Sequence, residues 1–337
     1  MIIEERVKAF VQLGEYIKTI PEEKFKSLAE SIRIENPWFT EANLRMAVSG
    51  IGEYLDEKKL RSWLSQYPPV GRKPKVVALI MAGNIPMVGF HDLLCVLING
   101  DAALIKSSSK DTILIKVICN KLIEIDGRFA HKITFGDQLK NFDAAIATGS
   151  DNASRYFEYY FGKYPHIIRK NRTSIAILDG TENKEQFAAL GSDVFSYFGL
   201  GCRNVSKLFV PRDFDFVRLL NHWESFKDLG FHHKYHNNYQ YQRSILLMSG
   251  LHFLDNGFVL LQEHEKLVSP IAVLYFEYFN NTEELSKRLD PLRDKLQCIV
   301  GNSPLADVGF GKTQCPGLAD YADQMDTMKF LQGISDE

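Results

Sequence analysis

Five short apolar runs, each bounded by turn residues, constrain this chain more than any other feature. They lie at 76–80, 102–106, 133–135, 144–147 and 174–178. A strand buried on both faces reads as a near-continuous apolar run, because neither face meets water. Helix-compatible stretches fall between the runs, at 88–97, 112–125 and 152–161. Strand alternating with helix predicts a parallel sheet covered on both faces. Such a sheet binds ligands in the crevice beyond the carboxyl ends of its strands. After residue 202 the alternation continues more loosely. Strands are expected at 207–210, 244–248, 258–261, 272–276 and 296–300, and helices at 215–227 and 282–289.

The first 66 residues have a different texture. Val7, Phe10, Val11, Leu13, Tyr16, Ile17 and Ile20 recur at close to a 3.6-residue period, as do Leu44, Val48, Ile51, Tyr54, Leu55, Leu60 and Leu64. Both patterns predict amphipathic helices, with Pro21 stopping or restarting the first. Residues 68–74 read as a connector. At 337 residues the chain exceeds what one ordinary core serves. The expected layout is a helical segment over 1–66, a Rossmann-type cofactor domain over 67–180 and 306–337, and an α/β catalytic domain over 181–305.

Composition narrows the function classes. A content of 45% apolar and 24% charged residues is that of a soluble globular protein. A net charge of −2 provides no field favouring nucleic acid or an anionic membrane. Met1 to Arg6 carry acids where a secretory leader needs basic and then apolar residues. The longest apolar stretch, 76–90, is broken by Gly83, Asn84 and Pro86 and is too short to span a bilayer. Five cysteines without a CxxC pair argue against a disulfide framework or a zinc ribbon. A cytoplasmic protein that inserts in no membrane and binds no nucleic acid is expected.

Four places carry candidate chemistry. Cys202 stands in Phe198-Gly199-Leu200-Gly201-Cys202-Arg203-Asn204, just before an apolar run. It is either a small hydrophobe in a turn or a nucleophile, the latter if its thiol ionises below the free value of ~8.5. Asn84, in Gly83-Asn84-Ile85-Pro86 after the first strand, either shapes a turn or donates to a ligand oxygen. Lys106 closes the second strand and is followed by three serines. It is either a ligand-edge cation or a surface lysine before a capped helix. Thr148-Gly149-Ser150 is a strand-to-helix turn of the kind that receives phosphate on backbone N–H groups, without the glycines of a GxGxxG loop. The stretch Phe231-His232-His233-Lys234-Tyr235-His236 invites a metal reading. It has no acid at an HExxH position, and a polar surface loop or part of a substrate entrance is expected instead, with no metal.

In this order along the chain, these segments resemble the aldehyde dehydrogenase superfamily, and within it the LuxC-like long-chain acyl-CoA (fatty acyl) reductases. The resemblance runs from about Val76 to the C-terminus and includes 310–314 and 325–330. It implies Cys202 as an acyl-accepting nucleophile and Asn84 as the oxyanion donor. Lys106 would contact the adenosine ribose, and Thr148, Gly149 and Ser150 would form the phosphate-side turn. The implied reaction is NADPH-dependent reduction of an acyl-CoA or acyl-protein thioester to the aldehyde, with NADH as the other cofactor choice. A homo-oligomer is implied as well. Hydrolytic members carry a water-activating glutamate where this chain reads Ile168-Arg169-Lys170-Asn171-Arg172-Thr173, which contains no acid. That departure disfavours oxidation of aldehydes. The family's ribose-binding glutamate falls at Lys266, with Glu265 beside it. Arg203, His91 and His166 are the candidates for activating Cys202. Two rivals stay open: an aldehyde oxidiser using an acid such as Glu182, and a non-catalytic partner of an acyl-transfer complex.

Overall fold

The computed structural model describes residues 1–69 and 71–335; Val70, in the connector, and the last two residues of the expected cofactor domain lie outside the described residues. The chain forms two compact units, Met1–Asn171 with Gly317–Glu337, and Arg172–Pro316.

The first unit opens with four helices, α1 (Ile3–Lys18), α2 (Glu22–Glu35), α3 (Glu41–Tyr54) and α4 (Glu57–Leu64). The pattern then becomes β1 (Val76–Ile80), α5 (Phe90–Asn99), β2 (Ala102–Lys106), α6 (Ile113–Ile125), β3 (Ile133–Phe135), β4 (Ala144–Thr148), α7 (Asp151–Phe161) and β5 (His166–Arg169). The strands form one parallel sheet in the order β3-β2-β1-β4-β5, the doubly wound arrangement expected. The order reverses at β1, so the crevice between the carboxyl ends of β1 and β4 is the topological switch point. Helix α5 is apolar on every side. Leu93, Leu94, Cys95, Val96, Leu97 and Ile98 are all buried, as an all-round apolar helix requires. The N-terminal helices do not stand apart as a segment of their own. Val7, Phe10, Leu13 and Leu44 share one hydrophobic cluster with α5, α6 and the sheet.

The second unit contains β6 (Thr173–Ile177), α8 (Lys184–Phe195), β7 (Val205–Pro211), α9 (Phe216–His222), α10 (His233–Met248), β8 (Leu254–Asp255), β9 (Leu260–Glu263), β10 (Val273–Phe279), α11 (Thr282–Leu289) and β11 (Leu296–Gly301). Its sheet runs β11-β6-β7-β10-β9-β8, parallel except for the short antiparallel edge strand β8. Phe187, Leu190, Leu208, Trp223 and Phe258 anchor its core, and the Trp223 indole N–H donates to the Phe187 carbonyl at 2.8 Å. The chain then returns to the first unit with α12 (Thr327–Gln332).

The compact units part at Arg172, where β6 bonds to β7 and β11 in the second sheet, against an expected domain bound of 180. The return to the first unit comes at Gly317, after Val308 has bridged Val300 of β11, against an expected 306. One expected strand is corrected. Residues 244–248 are the last turns of α10 and not a strand. Of Ile245, Leu246 and Leu247 only Leu246 is buried, as on one face of a helix.

Candidate functional site

In the first unit, three of the predicted positions fall at carboxyl ends of the sheet. Asn84 follows β1, Lys106 is the last residue of β2, and Thr148 is the last of β4. Lys106 pairs in register with Ile80 and is exposed. After β4 the chain enters α7 through Ser150, whose hydroxyl accepts the Ala153 N–H at 3.3 Å as an N-cap. A side chain at Gly149 would meet the Phe157 ring at 2.8 Å, so the turn is closed by a residue that lets helix and backbone approach.

The loop that carries Asn84 is held from two directions. A Cβ on Gly83 would lie 2.5 Å from Ser108 Oγ, so this loop packs directly on the 107–112 turn after β2. Met87 adopts a left-handed backbone, φ 58°, which costs an L residue roughly 1–2 kcal/mol. Its N–H donates to Asp111 Oδ2 at 2.7 Å. Burial pushes the Asp111 carboxyl up to about 7, with Glu35 adding in the same direction against the Met87 hydrogen bond. Beyond the loop, Asp92 in the first turn of α5 accepts from Arg169 at the end of β5. One Arg169–Asp92 contact is very short, and Nη2 donates to Asp92 Oδ1 at 2.9 Å and to Thr327 Oγ1 of α12 at 2.9 Å. The basic segment predicted to lack a water-activating acid thus gives Arg169 to a buried ion pair with Asp92 of α5, and Arg169 lies in register with Thr148.

In the second unit Cys202 lies at the amino end of β7, in a tight turn closed by the Asn204 N–H on the Gly201 carbonyl at 3.1 Å. That is where its position before the apolar run puts it, whereas the other three positions lie at carboxyl ends. The thiol is half-buried and not in a disulfide. Its carbonyl accepts from Ser174 Oγ of β6 at 3.0 Å. Before it, Tyr197, Phe198 and Gly199 are all left-handed, at φ 52°, 58° and 75°. Successive bulky residues in that region are genuine outliers, of the kind that persists only where the surroundings over-determine the backbone. The surroundings are visible here. Asn204 is buried, accepts the Gly201 N–H at 2.8 Å and donates to the carbonyls of Asp193 at 3.1 Å and Ser196 at 2.8 Å. The Phe198 ring lies against His232, with centroids 4.4 Å apart. Asp193 accepts from the Gly311 N–H at 2.6 Å and from Thr313, tying the 310–314 segment to α8.

The other candidates are engaged elsewhere. Arg203 Nη1 lies 3.3 Å from Sγ of buried Cys298, whose thiol is pushed up by burial. His91 Nε2 meets the Leu318 carbonyl at 3.0 Å among Tyr54, Trp63 and Tyr321. His166 Nδ1 meets the Tyr164 carbonyl at 2.8 Å. Glu182 accepts the N–H groups of Asp179 at 2.8 Å and Gly180 at 3.1 Å, which closes the turn before α8. His232 is the N-cap of α10 and His236 lies one turn on, so the histidines begin a helix and not a loop. Among the described residues no group of three or more His, Cys, Asp or Glu side chains is placed to hold a metal ion. No helix of the described residues is long and apolar enough to cross a membrane.

Sequence reasoning missed the residues that hold these segments in place: Asp111, Arg169, Asp193, Asn204 and Lys207. Lys207 is fully buried on β7. It pairs with Glu277 and donates to the carbonyls of His264 at 2.9 Å, Glu265 at 2.8 Å and Lys266 at 3.2 Å. A lysine inside the apolar run 205–210 was the available signal, since an unpaired cation has no place in a central strand.

The family model for acyl-CoA reductase (LuxC) matches residues 41–217, a span that includes Asn84, Lys106, Thr148 to Ser150 and Cys202. No curated protein matches the chain. Solved structures similar in fold include aldehyde dehydrogenase 21 from Physcomitrella patens in complex with the reaction product succinate. It is 10% identical with TM-score 0.66, covering 98% of this chain and 84% of that one. The NAD+ complex of an aldehyde dehydrogenase from Bacillus cereus is 14% identical with TM-score 0.63, covering 92% and 76%. Aldehyde dehydrogenase C from Pseudomonas syringae, with NAD+ and octanal, is 14% identical with TM-score 0.61, covering 84% and 69%. At these identities the likeness establishes the fold.

Proposed function

Because the chain belongs to the acyl-CoA reductase (LuxC) family, and so to the aldehyde-related oxidoreductases, we propose that it reduces a long-chain acyl-CoA or acyl-protein thioester to the aldehyde. The observation that carries this reading is the family match across all the candidate positions at once, Cys202 included. Cys202 is the nucleophile. Its thiolate attacks the thioester carbonyl, a new C–S bond forms, and the departing thiol leaves an acyl-enzyme. Asn84 Nδ2 and the Cys202 N–H are the donors to the oxyanion; removing one such donor typically costs ~2.7–4 kcal/mol of barrier. The Cys202 carbonyl, fixed by Ser174, and the turn held by Asn204 support a preset orientation of the thiol.

The residues at the switch point suit a nicotinamide dinucleotide. Gly149 and the N-terminus of α7 offer backbone N–H groups to a pyrophosphate, and exposed Lys106 stands at the same edge. When bound, that cofactor supplies a hydride to the acyl carbon, and the aldehyde leaves as the Cys202 thiolate is restored. Lys106 favours a 2′-phosphate and hence NADPH over NADH. The ion pair of Arg169 with Asp92, and the backbone hydrogen bonds consumed by Glu182, support reduction over hydrolysis, since both oxygens of each carboxylate already accept hydrogen bonds from the protein. The working form is a cytoplasmic homo-oligomer.

Intact mass after mixing with acyl-CoAs of varied chain length, without cofactor, tests the proposal. One acyl mass should be gained on Cys202, increasingly with chain length, and be absent in Cys202→Ala. NADPH should then release aldehyde. An unchanged mass at every length, or oxidation of aldehyde with NAD and no reduction of thioester, refutes it.

A further inference from the structure

The 107–112 turn after β2 has no part in the functions proposed so far, yet it braces the loop after β1. The Ser108 side chain fills the space that a Cβ on Gly83 would need. Ser108 also orders its own turn. Its hydroxyl accepts the Lys110 N–H at 3.2 Å, and its carbonyl accepts the Asp111 N–H at 3.1 Å and the Thr112 hydroxyl at 2.9 Å. The turn is fixed from below as well, by Asn36 at the end of α2, which donates to the Lys110 carbonyl at 3.2 Å. From this platform Asp111, 6% exposed, reaches the amide of left-handed Met87. Its other oxygen, Oδ1, is buried and accepts no hydrogen bond among the described residues.

A carboxyl with one buried oxygen unmatched is an expensive way to cap one amide. An asparagine would accept the same N–H and carry no charge. What the carboxylate adds is a stronger, charge-assisted bond at the one residue of this loop whose backbone resists its conformation. We infer that Asp111 is the positioning residue of the Asn84 loop: by accepting the Met87 N–H it holds residues 82–87 on the path that presents Asn84 beyond β1. The inference rests on Asn84 as the oxyanion donor. Few charges surround the carboxyl. Residues 82–90 contain no ionisable side chain, Lys110 in its own turn and Lys116 on α6 are exposed, and Glu35 at the end of α2 is the neighbour that raises it. With its titration near 7, the bond is strongest above neutral pH and weakens below it.

The test is a double-mutant cycle read by the single-turnover rate of Cys202 acylation, using an acyl-CoA that modifies the wild type. Asp111→Ala should slow acylation about tenfold, as loss of a charge-assisted hydrogen bond predicts. In an Asn84→Ala background it should slow it no further, because the residue through which it acts is gone. Asp111→Asn, which keeps the acceptor, should restore most of the rate. The ratio of wild type to Asp111→Asn should rise about threefold through pH 7. Equal slowing in both backgrounds, no slowing by Asp111→Ala, or an Asp111→Asn enzyme as slow as Asp111→Ala overturns the inference. A wild type that is never acylated overturns the functional reading beneath it instead.

Discussion

Arg169→Met is the substitution whose consequence can be worked furthest. Arg169 and Asp92 are both buried, with side chains 4% and 11% exposed, and Thr327 Oγ1 touches both. Burial pushes the Asp92 carboxyl up. The Arg169 charge and hydrogen bonds, helped by His91 and Thr327, overcome that and leave it below its ordinary value. A carboxyl lowered in the folded state contributes stability above its unfolded value of about 3.9 and loses it as pH falls below. Take the guanidinium away and burial, the largest influence, is opposed only by the smaller effects of His91 and Thr327. The carboxyl now titrates above its ordinary value, and the sign reverses, so the variant loses stability as pH rises. Breaking a buried pair by removing one partner costs about 3–5 kcal/mol, a cost that protonation of Asp92 relieves in acid. Thermal unfolding followed from pH 5 to 8 should therefore show a deficit growing toward about 3–5 kcal/mol. That corresponds to a Tm drop of roughly 6–20 °C at about 2–4 °C per kcal/mol for a unit of this size. Adding Asp92→Leu should recover most of it, because an apolar pair of similar volume replaces a buried ion pair with little loss. A deficit equal at pH 5 and pH 8, or a further loss on adding Asp92→Leu, would show that the buried charge is not its origin.

Two further outcomes follow from single buried groups. Asp111→Asn should be more stable than the wild type by about 4 kcal/mol above pH 7 and by almost nothing below pH 4. The wild-type carboxyl rises from an ordinary 3.8 to about 7, each pH unit is worth about 1.4 kcal/mol, and a raised carboxyl loses its contribution as pH rises. Urea unfolding at pH 4, 6 and 8 checks it, and a difference independent of pH refutes it. Asn204→Ala should cost at least about 3 kcal/mol, since it leaves the Gly201 N–H and the carbonyls of Asp193 and Ser196 without their partner. Denaturant midpoints read the loss, and one below 1 kcal/mol would show that water or a rearranged turn replaces these bonds.

The parts of the fold that could be read in advance are those whose signal is local. β1, β2, β4 and β6 are continuous apolar runs because both faces of their sheets are covered, and the turns after β1 and β4 mark themselves with glycine. β5 escaped notice because His166 and Arg169 end a core of only two isoleucines. Ile245-Leu246-Leu247 reads as strand on its own, since three apolar residues fit either period. Cys202 stands out through its glycines and the strand after it. Other buried polar groups do not, because their partners are distant in sequence: Thr313 lies 120 residues from Asp193, Thr327 lies 158 from Arg169, and Glu277 lies 70 from Lys207. A buried polar group announces only that it must have a partner, never which one.

The same physics explains why strain collects where it does. Tyr197 and Phe198, both left-handed, cost together roughly 2–4 kcal/mol. The three good hydrogen bonds of the Asn204 side chain, to Gly201, Asp193 and Ser196, return about 0.5–1.5 kcal/mol each, a comparable sum. The strained pair and the residue that offsets it lie within eight positions of each other, on either side of Cys202. Strain and support therefore cancel locally, and the sheet behind them need carry neither. The Met87 and Asp111 pair repeats the arrangement beside Asn84, with one left-handed residue held by one charge-assisted bond. In both places a backbone that the chain would not adopt alone is fixed by a buried side chain belonging to the same unit. The Asn84 loop and the Cys202 turn are thus each held in place by their own unit, before any ligand arrives.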